Sequence, residues 1–415
     1  MLNKNFNKFL CLTFVLSFSS VLPMNLKVFY DTFLRPVVWE DSKVCFALKG
    51  QSGFSSISFD ECERSSNVLR IWDKSQNAIK MLDGFGAETS LGQLRTRIDA
   101  NDDGVRGHYL VCGDLDIKAK LEFSFWFYFY ENFSLSFHLP YFYMQLKNVA
   151  WQEQTKSITA DDFRVKEYLT NNFIKNVCDF GCLDICGWTR HGVGDLLVLV
   201  EWMKNFEQSK KFLKNVRLSA RAGLTLPSGK RTDEDKIFAF SFGNDGATGA
   251  LVGGGIDVTL GDYLKGGLDV QILYPFGNTK CRRIKTHCDQ TELLLLKKVD
   301  AFKEFGITQR FNLYLEIFKP IGGLSLKSGY QYMRHSEDRL YLRSNEFSND
   351  IANTAESLEE WTMHSLIFNL SYDFFTDQED ERRVHPYVSI FAKIPFNGMR
   401  VAMERTVGAM ISVDF

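Results

Sequence analysis

Beyond residue 20 the sequence lacks any apolar run of about 18 residues, the length that a transmembrane helix requires. It also lacks an excess of charge of either sign, because 49 Lys and Arg stand against 51 Asp and Glu, for a formal net charge of −2. A nucleic-acid-binding surface is basic, so this balance argues against a nucleic-acid partner. These two absences exclude a helical membrane protein and disfavour a protein that binds DNA or RNA.

The N-terminus has the composition of a secretory signal peptide. Lys4 and Lys8 precede an apolar run from Phe9 to Phe18, after which small serines follow. That run is too short to span ~30 Å of hydrocarbon, so we favour a cleaved signal over an uncleaved anchor. We predict that residues 1–20 are a signal peptide, that residues 21–42 form a short N-terminal periplasmic segment, and that the protein is exported.

Aromatic residues are abundant, with 37 Phe, 15 Tyr and 7 Trp, and many of them follow a two-residue period. Between Gly113 and Tyr130 every odd position from Leu115 to Phe129 is apolar. A strand places alternate residues on opposite faces, so this segment has one continuous apolar face that fits lipid better than the core of a soluble sheet. The even positions include Asp114, Asp116, Lys118, Lys120, Glu122 and Ser124.

Strand-like segments recur along the chain, and their connectors alternate in length. Connectors after even-numbered segments are short and those after odd-numbered segments are long, except Asn397-Gly398, a strong hairpin signal. This is the arrangement of outer-membrane β-barrels, whose short turns are periplasmic. We therefore predict an all-β fold, in which residues 43–415 form one transmembrane antiparallel up-and-down β-barrel of about 12 strands (range 10–14) with long extracellular loops. The predicted segments are Lys43 to Phe59, His108 to Tyr130, Phe133 to Lys147, Val193 to Phe206, Asn215 to Pro227, Ala247 to Gly261, Lys265 to Phe276, Ala301 to Phe318, Leu324 to Arg334, Thr362 to Phe375, Val384 to Phe396 and Met399 to Phe415.

The last segment alternates to its final residue, Phe415. A terminal strand that ends on an aromatic residue resembles those of bacterial outer-membrane β-barrels, in which the final Phe belongs to the assembly signal. The resemblance implies an outer-membrane location, with outer-membrane lipid and the barrel assembly machinery as partners. We expect this strand to close the barrel against Lys43 to Phe59.

Charged side chains on the membrane-spanning strands are expected to face the lumen, because a Lys or Arg that faces mid-bilayer lipid costs about 2–4 kcal/mol. Positive and negative side chains occur in similar numbers among these residues. That balance fits a polar passage, and it fits equally a salt-bridge lattice that fills a narrow interior. The predicted lumen-lining residues are Asp116, Lys118, Lys120, Glu122, Arg217, Arg221, Asp257, Asp269, Glu304, Arg310, Glu316, Lys327 and Lys393.

Two short motifs lie about thirty residues apart. Gly192-Val193-Gly194-Asp195 opens one predicted strand, and Gly223 to Lys230 contains the Leu-Pro-Ser-Gly exit of the next. Together they resemble motifs of the fatty-acid and aromatic-hydrocarbon transporter type of outer-membrane barrel. The resemblance covers Gly192 to Tyr274 and implies inward movement of hydrophobic small molecules through a lumen blocked by an N-terminal hatch. This chain departs from that type, since Met24 to Ser42 is too short for a large plug and we count twelve strands rather than fourteen.

The cysteines and the polar clusters leave several alternatives. Cys281 and Cys288 lie in one long loop, where either a disulfide or two free thiols is possible. Cys178, Cys182 and Cys186 repeat at i, i+4, i+8 and would share a helical face, which allows a metal site or loop disulfides. Their spacing matches no zinc or iron–sulfur pattern, so we favour loop disulfides and predict no metal and no cofactor.

Ser134, Ser136 and His138 cluster in the sequence, but their parity places them in the lumen. A lipid hydrolase would need a serine and a histidine on the lipid-facing surface, so we expect no enzymatic activity.

The long connectors Asp60 to Gly107 and Asn148 to Gly192 contain helix-compatible stretches, Gln76 to Leu82 and Asp161 to Asn176. Loops of this length are usually functional. Inward folding would constrict a pore, whereas outward folding would form an adhesin-like cap. We predict passive diffusion or transport of a small solute through the lumen, with a structural or surface-interaction role and an occluded lumen as the alternative. The solute, its direction and the oligomeric state stay open.

Overall fold

Twelve antiparallel strands form a closed barrel in the computed structural model, which describes residues 29–36, 42–320, 322–374 and 384–415. Each strand pairs with its neighbours in the sequence, and the last pairs with the first. The predicted signal peptide, residues 1–20, lies outside the described residues. The barrel strands are β1 (Val44–Ser55), β2 (His108–Tyr130), β3 (Phe133–Glu153), β4 (Leu196–Glu207), β5 (Leu213–Leu226), β6 (Gly249–Leu260), β7 (Leu264–Pro275), β8 (Thr308–Phe318), β9 (Leu324–His335), β10 (Trp361–Asp373), β11 (His385–Met399) and β12 (Arg405–Asp414).

The remaining elements lie in the long connectors and at their edges. None of the helices in the described ranges is long and apolar enough to cross a membrane. The short strands are Ile57–Phe59, Ser65–Asn67, Gln76–Asn77, Trp188–Val193, Asn278–Ile284, Lys297–Glu304, Arg339–Leu342 and Val401–Ala402. The α-helices are α1 (Ser90–Ile98), α2 (Ala160–Val165), α3 (Phe173–Gly181) and α4 (Asn349–Ala352), with a π-helical turn at Lys166–Thr170 and 3₁₀ turns at Val68–Arg70, Lys80–Leu82, Glu292–Leu294 and Glu356–Leu358.

Each predicted segment overlaps a barrel strand, but three of the predicted segments, Lys43 to Phe59, Ala301 to Phe318 and Met399 to Phe415, include residues of other sheets. The segment Ala301 to Phe318 is divided, because Lys297–Glu304 joins a separate three-stranded sheet and β8 begins at Thr308. Gly306 marks the break, since its backbone lies so close to Ser336 that an added Cβ would stand 2.1 Å from the carbonyl oxygen of that residue. Similarly, β1 ends at Ser55 and β12 begins at Arg405, and Val401–Ala402 instead pairs with Ile57–Phe59. The predicted hairpin turn at Asn397-Gly398 is wrong, because both residues lie within β11.

The barrel closes through β1 and β12 in a continuous antiparallel register from Cys45 opposite Asp414 to Phe54 opposite Arg405. The backbone N–H of Lys43 donates to the carbonyl oxygen of Phe415 at 2.8 Å. The last residue therefore takes part in the closing pair.

The outward-facing side chains of the strands form an apolar, exposed belt. In β1, exposed Phe46 and Leu48 alternate with buried Cys45, Ala47 and Lys49. An apolar exterior around a closed barrel is the surface that lipid covers, because no strand edge is left unpaired. Other members of the belt are Phe123, Phe127, Val200, Leu224, Val252, Ile256, Leu313, Leu315, Leu326, Leu366, Phe368, Leu370, Ile390, Val407 and Ile411.

The long connectors fold over one end of the barrel, and we call them the cap. They have an apolar core that is continuous with inward-facing strand residues such as Leu115, Ile117 and Met363, each at most 1% exposed. The predicted helix-compatible stretch Asp161 to Asn176 supplies α2 and the start of α3. The barrel is therefore covered at its long-loop end. The cap comprises residues 56–107, 154–195, 227–248, 276–307 and 336–360.

Candidate functional site

Residues 29–36 lie inside the barrel, and we call them the luminal segment. This corrects the prediction that residues 21–42 are a periplasmic segment, at least for the part that is described. Tyr30 and Phe33 are each 2% exposed although neither belongs to a strand or helix. The segment therefore occupies the lumen as an irregular peptide that the barrel wall must satisfy by hydrogen bonds.

Side chains of the wall bind the backbone of the luminal segment. The carbonyl oxygen of Tyr30 accepts hydrogen bonds from Gln271 Nε2, at 2.9 Å, and from the guanidinium of Arg310. The carbonyl oxygen of Phe33 accepts one from Lys327 Nζ at 3.0 Å. These donors come from β7, β8 and β9, so one wall of the barrel holds the segment through its main chain.

Cations of the wall also lie over the aromatic rings of the luminal segment. Arg221 lies 5.4 Å from the ring centroid of Tyr30, and Lys327 lies 4.8 Å from that of Phe33. Cation–π attraction is strongest where both groups are desolvated, as they are here. The aromatic residues of the segment are thus held by charge as well as by apolar packing, since Phe33 also belongs to a buried cluster with Ile367 and Phe391.

A chain of buried ion pairs links the luminal segment to β4, β5 and β7. Arg35 Nη1 lies 2.7 Å from Glu201 Oε2, and Arg221 lies 3.5 Å from the other oxygen of that carboxylate. Arg221 also contacts Asp269 at 2.5 Å, and Thr32 Oγ1 donates to Asp269 at 2.9 Å. Both ends of this chain involve the segment, while its centre lies within the wall.

A second set of ion pairs holds the segment from β1 and β2. Lys49 Nζ lies 2.9 Å from Glu122 and 3.5 Å from Asp31 of the luminal segment. The segment is therefore bound on several sides, by residues of β1, β4, β5, β7, β8 and β9.

Most of the charged residues that the sequence predicts in the lumen have inward-facing side chains. Arg217 pairs with Asp257 across β5 and β6, and Lys393 Nζ donates to Gln331 Oε1 at 2.6 Å. Glu316 stands between Lys265 and Lys327 in the register of β7, β8 and β9. The inward-facing set is Lys120, Glu122, Arg217, Arg221, Asp257, Asp269, Arg310, Glu316, Lys327 and Lys393.

Three predicted lumen residues lie elsewhere. A β-bulge at Lys118 shifts the register between Ile117 and Ala119 and inverts the alternation, so Asp116 and Lys118 face outward. Asp116 pairs there with Lys118 and Lys147, each at 2.7 Å. Glu304 is outside the barrel, in the three-stranded sheet of the cap.

Sequence reasoning missed Lys49 and Glu201, which complete the two sets of ion pairs. Both carried a usable signal, because Lys49 has the parity opposite to Phe46 and Leu48, and Glu201 has the parity of inward-facing Leu199. It also missed the position of the luminal segment, for which no periodic pattern exists.

The two motifs that resemble those of transporter barrels, Gly192 to Asp195 and Gly223 to Lys230, contact each other at the junction of the barrel and the cap. The buried carboxylate of Asp195 accepts the backbone N–H of Gly229 at 3.0 Å and that of Asn244 at 2.5 Å. Ser228 Oγ donates to the carbonyl oxygen of Gly194 at 2.9 Å. Burial raises the pKa of the Asp195 carboxyl to about 6, against the lowering effect of these N–H groups. The motifs thus have a local structural role in fixing the loop between β5 and β6.

Of the two alternatives for Cys281 and Cys288, a disulfide or free thiols, the structure has two free and exposed thiols. Cys281 lies within the extended strand Asn278–Ile284, and Cys288 lies in the turn that follows it. Cys178, Cys182 and Cys186 are free as well. Among the described residues, His287, Cys288 and Asp289 bring possible metal-ligand atoms within 4.8 Å of one another, but this group is at the surface and Lys80 already pairs with Asp289.

Ser136 and His138 are brought together in the lumen, with His138 Nε2 3.0 Å from Ser136 Oγ and Nδ1 2.8 Å from Ser124 Oγ. The ring of Tyr30 lies 5.0 Å from that of His138. Ser134 is inward-facing and buried too. The cluster is a buried hydrogen-bond network beneath the luminal segment, and it lies on the face opposite to lipid.

No protein-family model and no curated protein matches the chain. Among solved structures, an outer membrane channel from Pseudomonas putida F1 is similar over 94% of this chain and 100% of that one, with 10% identity and a TM-score of 0.52. The Ralstonia pickettii toluene transporter aligns over 90% of this chain and 89% of that one, with 10% identity and a TM-score of 0.33. At these identities the first likeness shows the fold alone, a closed antiparallel β-barrel, and the second is too distant to support an argument.

Proposed function

We propose that this chain is an outer-membrane channel through which a small solute moves passively, and that displacement of the luminal segment opens it. The observation that carries the proposal is the bonding of residues 29–36, which is made by side chains of the wall and not by strand pairing. Such contacts can be exchanged for water when the segment leaves.

The wall is suited to a hydrated lumen once the segment has moved. Arg221 keeps its pairing with Asp269 and Glu201, and Lys49 keeps its pairing with Glu122. Breaking a buried pair by removing one partner is costly, whereas these pairs stay intact within the wall. Departure of the segment therefore leaves these ion pairs intact, whereas Arg310 and Lys327, which donate to its carbonyl oxygens, would exchange those bonds for water.

The charged wall also bears on the kind of solute. Opposed charges across a lumen favour polar or amphipathic molecules over a pure hydrocarbon, which gains nothing from such a surface. We therefore propose a small polar or amphipathic solute, in contrast to the hydrophobic one that the motif resemblance implies. We further propose that the short-turn end faces the periplasm, from which the luminal segment enters.

A structural or surface-interaction role with an occluded lumen is the second candidate. It is favoured by the cap, whose apolar core covers the long-loop end. We do not propose catalysis, because the Ser136–His138 contact is buried beneath Tyr30 and lies away from the lipid face.

Swelling of proteoliposomes in small sugars and amino acids tests the proposal. We expect the full chain to give slow swelling and a deletion of residues 29–36 to give much faster swelling. Arg339→Ala is a matched control, because it removes an exposed ion pair in the cap and should leave the rate unchanged. Altered gel mobility before and after boiling shows that each variant is folded. Absence of swelling in both the full chain and the deletion variant would favour the occluded surface protein.

A further inference from the structure

The luminal segment brings one carboxylate, that of Asp31, into a basic part of the lumen. Asp31 lies 3.5 Å from Lys49 Nζ on β1, and Arg310 on β8 and Lys393 on β11 attract it electrostatically as well. Within the segment, the backbone N–H of Leu34 donates to Asp31 Oδ1 at 3.4 Å. The carboxylate is therefore faced by cations from three strands, and we call this place the Asp31 site.

The wall at the Asp31 site carries more positive than negative charge. Its cations are Lys49, Lys120, Arg310 and Lys393, and its carboxylates are those of Glu122 and Glu404. Four cations against two carboxylates leave an excess of two positive charges, of which Asp31 compensates one. The site is thus suited to an anion, and the segment supplies that anion only while it is docked.

Two of these cations depend on the segment or on neutral groups for their partners. Arg310 and Lys393 form no close ion pair among the described residues. Arg310 donates instead to the carbonyl oxygen of Tyr30, and Lys393 Nζ donates to Gln331 Oε1 at 2.6 Å. When the segment leaves, Arg310 loses the Tyr30 carbonyl and the site loses Asp31. An uncompensated charge in a poorly hydrated place is unfavourable, so an anion from solution is favoured there.

A second excess of positive charge lies nearer the short turns. Glu316 stands between Lys265 and Lys327 in the register of β7, β8 and β9, so two lysines share one carboxylate. Lys327 Nζ donates to the carbonyl oxygen of Phe33, and it too loses that acceptor when the segment leaves. An anion that moves along the lumen therefore meets two positive places in succession.

Inward-facing acidic residues of β4, β6 and β7 are already engaged by arginines. Glu201 and Asp269 lie 3.5 Å and 2.5 Å from Arg221, and Asp257 pairs with Arg217. These pairs lie within the wall and do not depend on the segment. A cationic solute therefore meets each of these carboxylates with an arginine already beside it.

We propose that the opened lumen selects small hydrophilic anions, short-chain carboxylates in particular, and that such an anion takes the place of the Asp31 carboxylate. A passage with one sign of charge in excess and walls of low dielectric constant concentrates ions of the opposite sign. Ammonium and guanidinium groups also form strong, charge-assisted hydrogen bonds with a carboxylate. That such anions are the transported solute rests on the proposed function, whereas their binding at the Asp31 site does not.

The ion selectivity of the variant that lacks residues 29–36 tests the inference in planar bilayers. In a KCl gradient, we expect a reversal potential at which chloride permeates severalfold better than potassium. Lys393→Gln in the same background should reduce this preference. Lys118→Gln is the matched control, because Lys118 faces outward and pairs with Asp116, so the preference should persist. Equal permeabilities, a preference for potassium, or equal effects of the two substitutions would overturn the inference.

Calorimetric titration of the same variant in detergent, with succinate and succinamide as probes, tests binding without conduction. The two probes share one carbon skeleton, and succinamide lacks the charge. We expect succinate to bind at least about tenfold more tightly, which corresponds to about 1.4 kcal/mol, and Lys393→Gln to remove most of this difference. Altered gel mobility before and after boiling shows that each variant is folded.

The two measurements separate the inference from the proposed function. Conduction by the deletion variant without a preference for anions refutes only the inference. If the deletion variant does not conduct, the proposed function fails and the titration decides the inference, which no saturable binding of succinate, or equal affinity for both probes, would then refute.

Discussion

The two halves of the barrel interior differ in chemistry although the same strands build both. Along β2, Leu115 and Ile117 belong to the apolar core at the long-loop end, whereas Lys120 and Glu122 face the charged lumen nearer the short turns. The β-bulge at Lys118 separates these two regions. One half is filled by packed side chains, and the other is filled by a peptide that ion pairs and hydrogen bonds hold in addition to the packing of its aromatic rings.

This difference in chemistry indicates which half of the barrel interior is able to move. A packed apolar core resists opening because every contact is lost at once and apolar surface meets water. An ion-paired segment leaves behind a wall that can be hydrated. We therefore assign stability to the cap and gating to the luminal segment.

The largest expected effect comes from truncating the apolar half. Phe242→Ala removes a cap side chain that is 1% exposed and lies 5.2 Å from the ring of Phe142 on β3. Its removal should lower the free energy of unfolding by about 3–5 kcal/mol, as for other buried phenylalanines. Urea unfolding in detergent, followed by tryptophan fluorescence, measures this. Phe163→Ala, at a cap site that is 58% exposed, should change it little, and equal losses at both sites would contradict a packed cap core.

A change in the charged half should instead act on the luminal segment. Glu201→Gln leaves Arg35 and Arg221 without their shared carboxylate, which should destabilise the docked segment by about 3 kcal/mol. Limited proteolysis of the segment in the folded barrel should become at least tenfold faster, while the difference in gel mobility before and after boiling persists. Unchanged proteolysis would show that Glu201 does not hold the segment. In the apolar half, Phe163→Ala should leave this proteolysis unaffected.

A smaller, pH-dependent effect is expected within the cap. Burial raises the pKa of the Glu292 carboxyl to about 7, although Lys285 lies 3.5 Å away. Because the folded pKa exceeds that of the unfolded chain, the stabilising contribution is complete below about pH 4 and is lost as the pH rises through 7. Relative to Glu292→Gln, the full chain should lose about 2 kcal/mol of stability between pH 5 and pH 8. Urea titrations at both values measure this difference. Exposed Glu359→Gln should give no such difference, and a flat profile for Glu292 would contradict its burial.

The strands were accessible to sequence reasoning because their signals are local. Alternation and turn residues place all twelve barrel strands, and the parity of Arg217, Arg221 and Asp257 assigns them to the lumen. Outer-membrane barrels also provide a familiar pattern of connector lengths.

The features that sequence reasoning missed depend on contacts between residues that are distant in the sequence. The β-bulge that turns Asp116 outward is absent from any two-residue period, because it depends on the pairing with β3. Glu304 leaves the barrel because Gly306 packs against a loop thirty residues further on. The luminal segment has no periodicity, and its position is set by Glu201, Asp269 and Lys327 on separate strands.

Single-channel recording in planar bilayers tests the assignment of gating most directly. The full chain, the variant that lacks residues 29–36 and the folded Phe242→Ala variant are compared under the same voltage. We predict that removal of the luminal segment gives a large, stable conductance, whereas loosening of the cap leaves the conductance near that of the full chain. A deletion variant that stays closed while the Phe242→Ala variant conducts would contradict the account, because the cap would then be the gate.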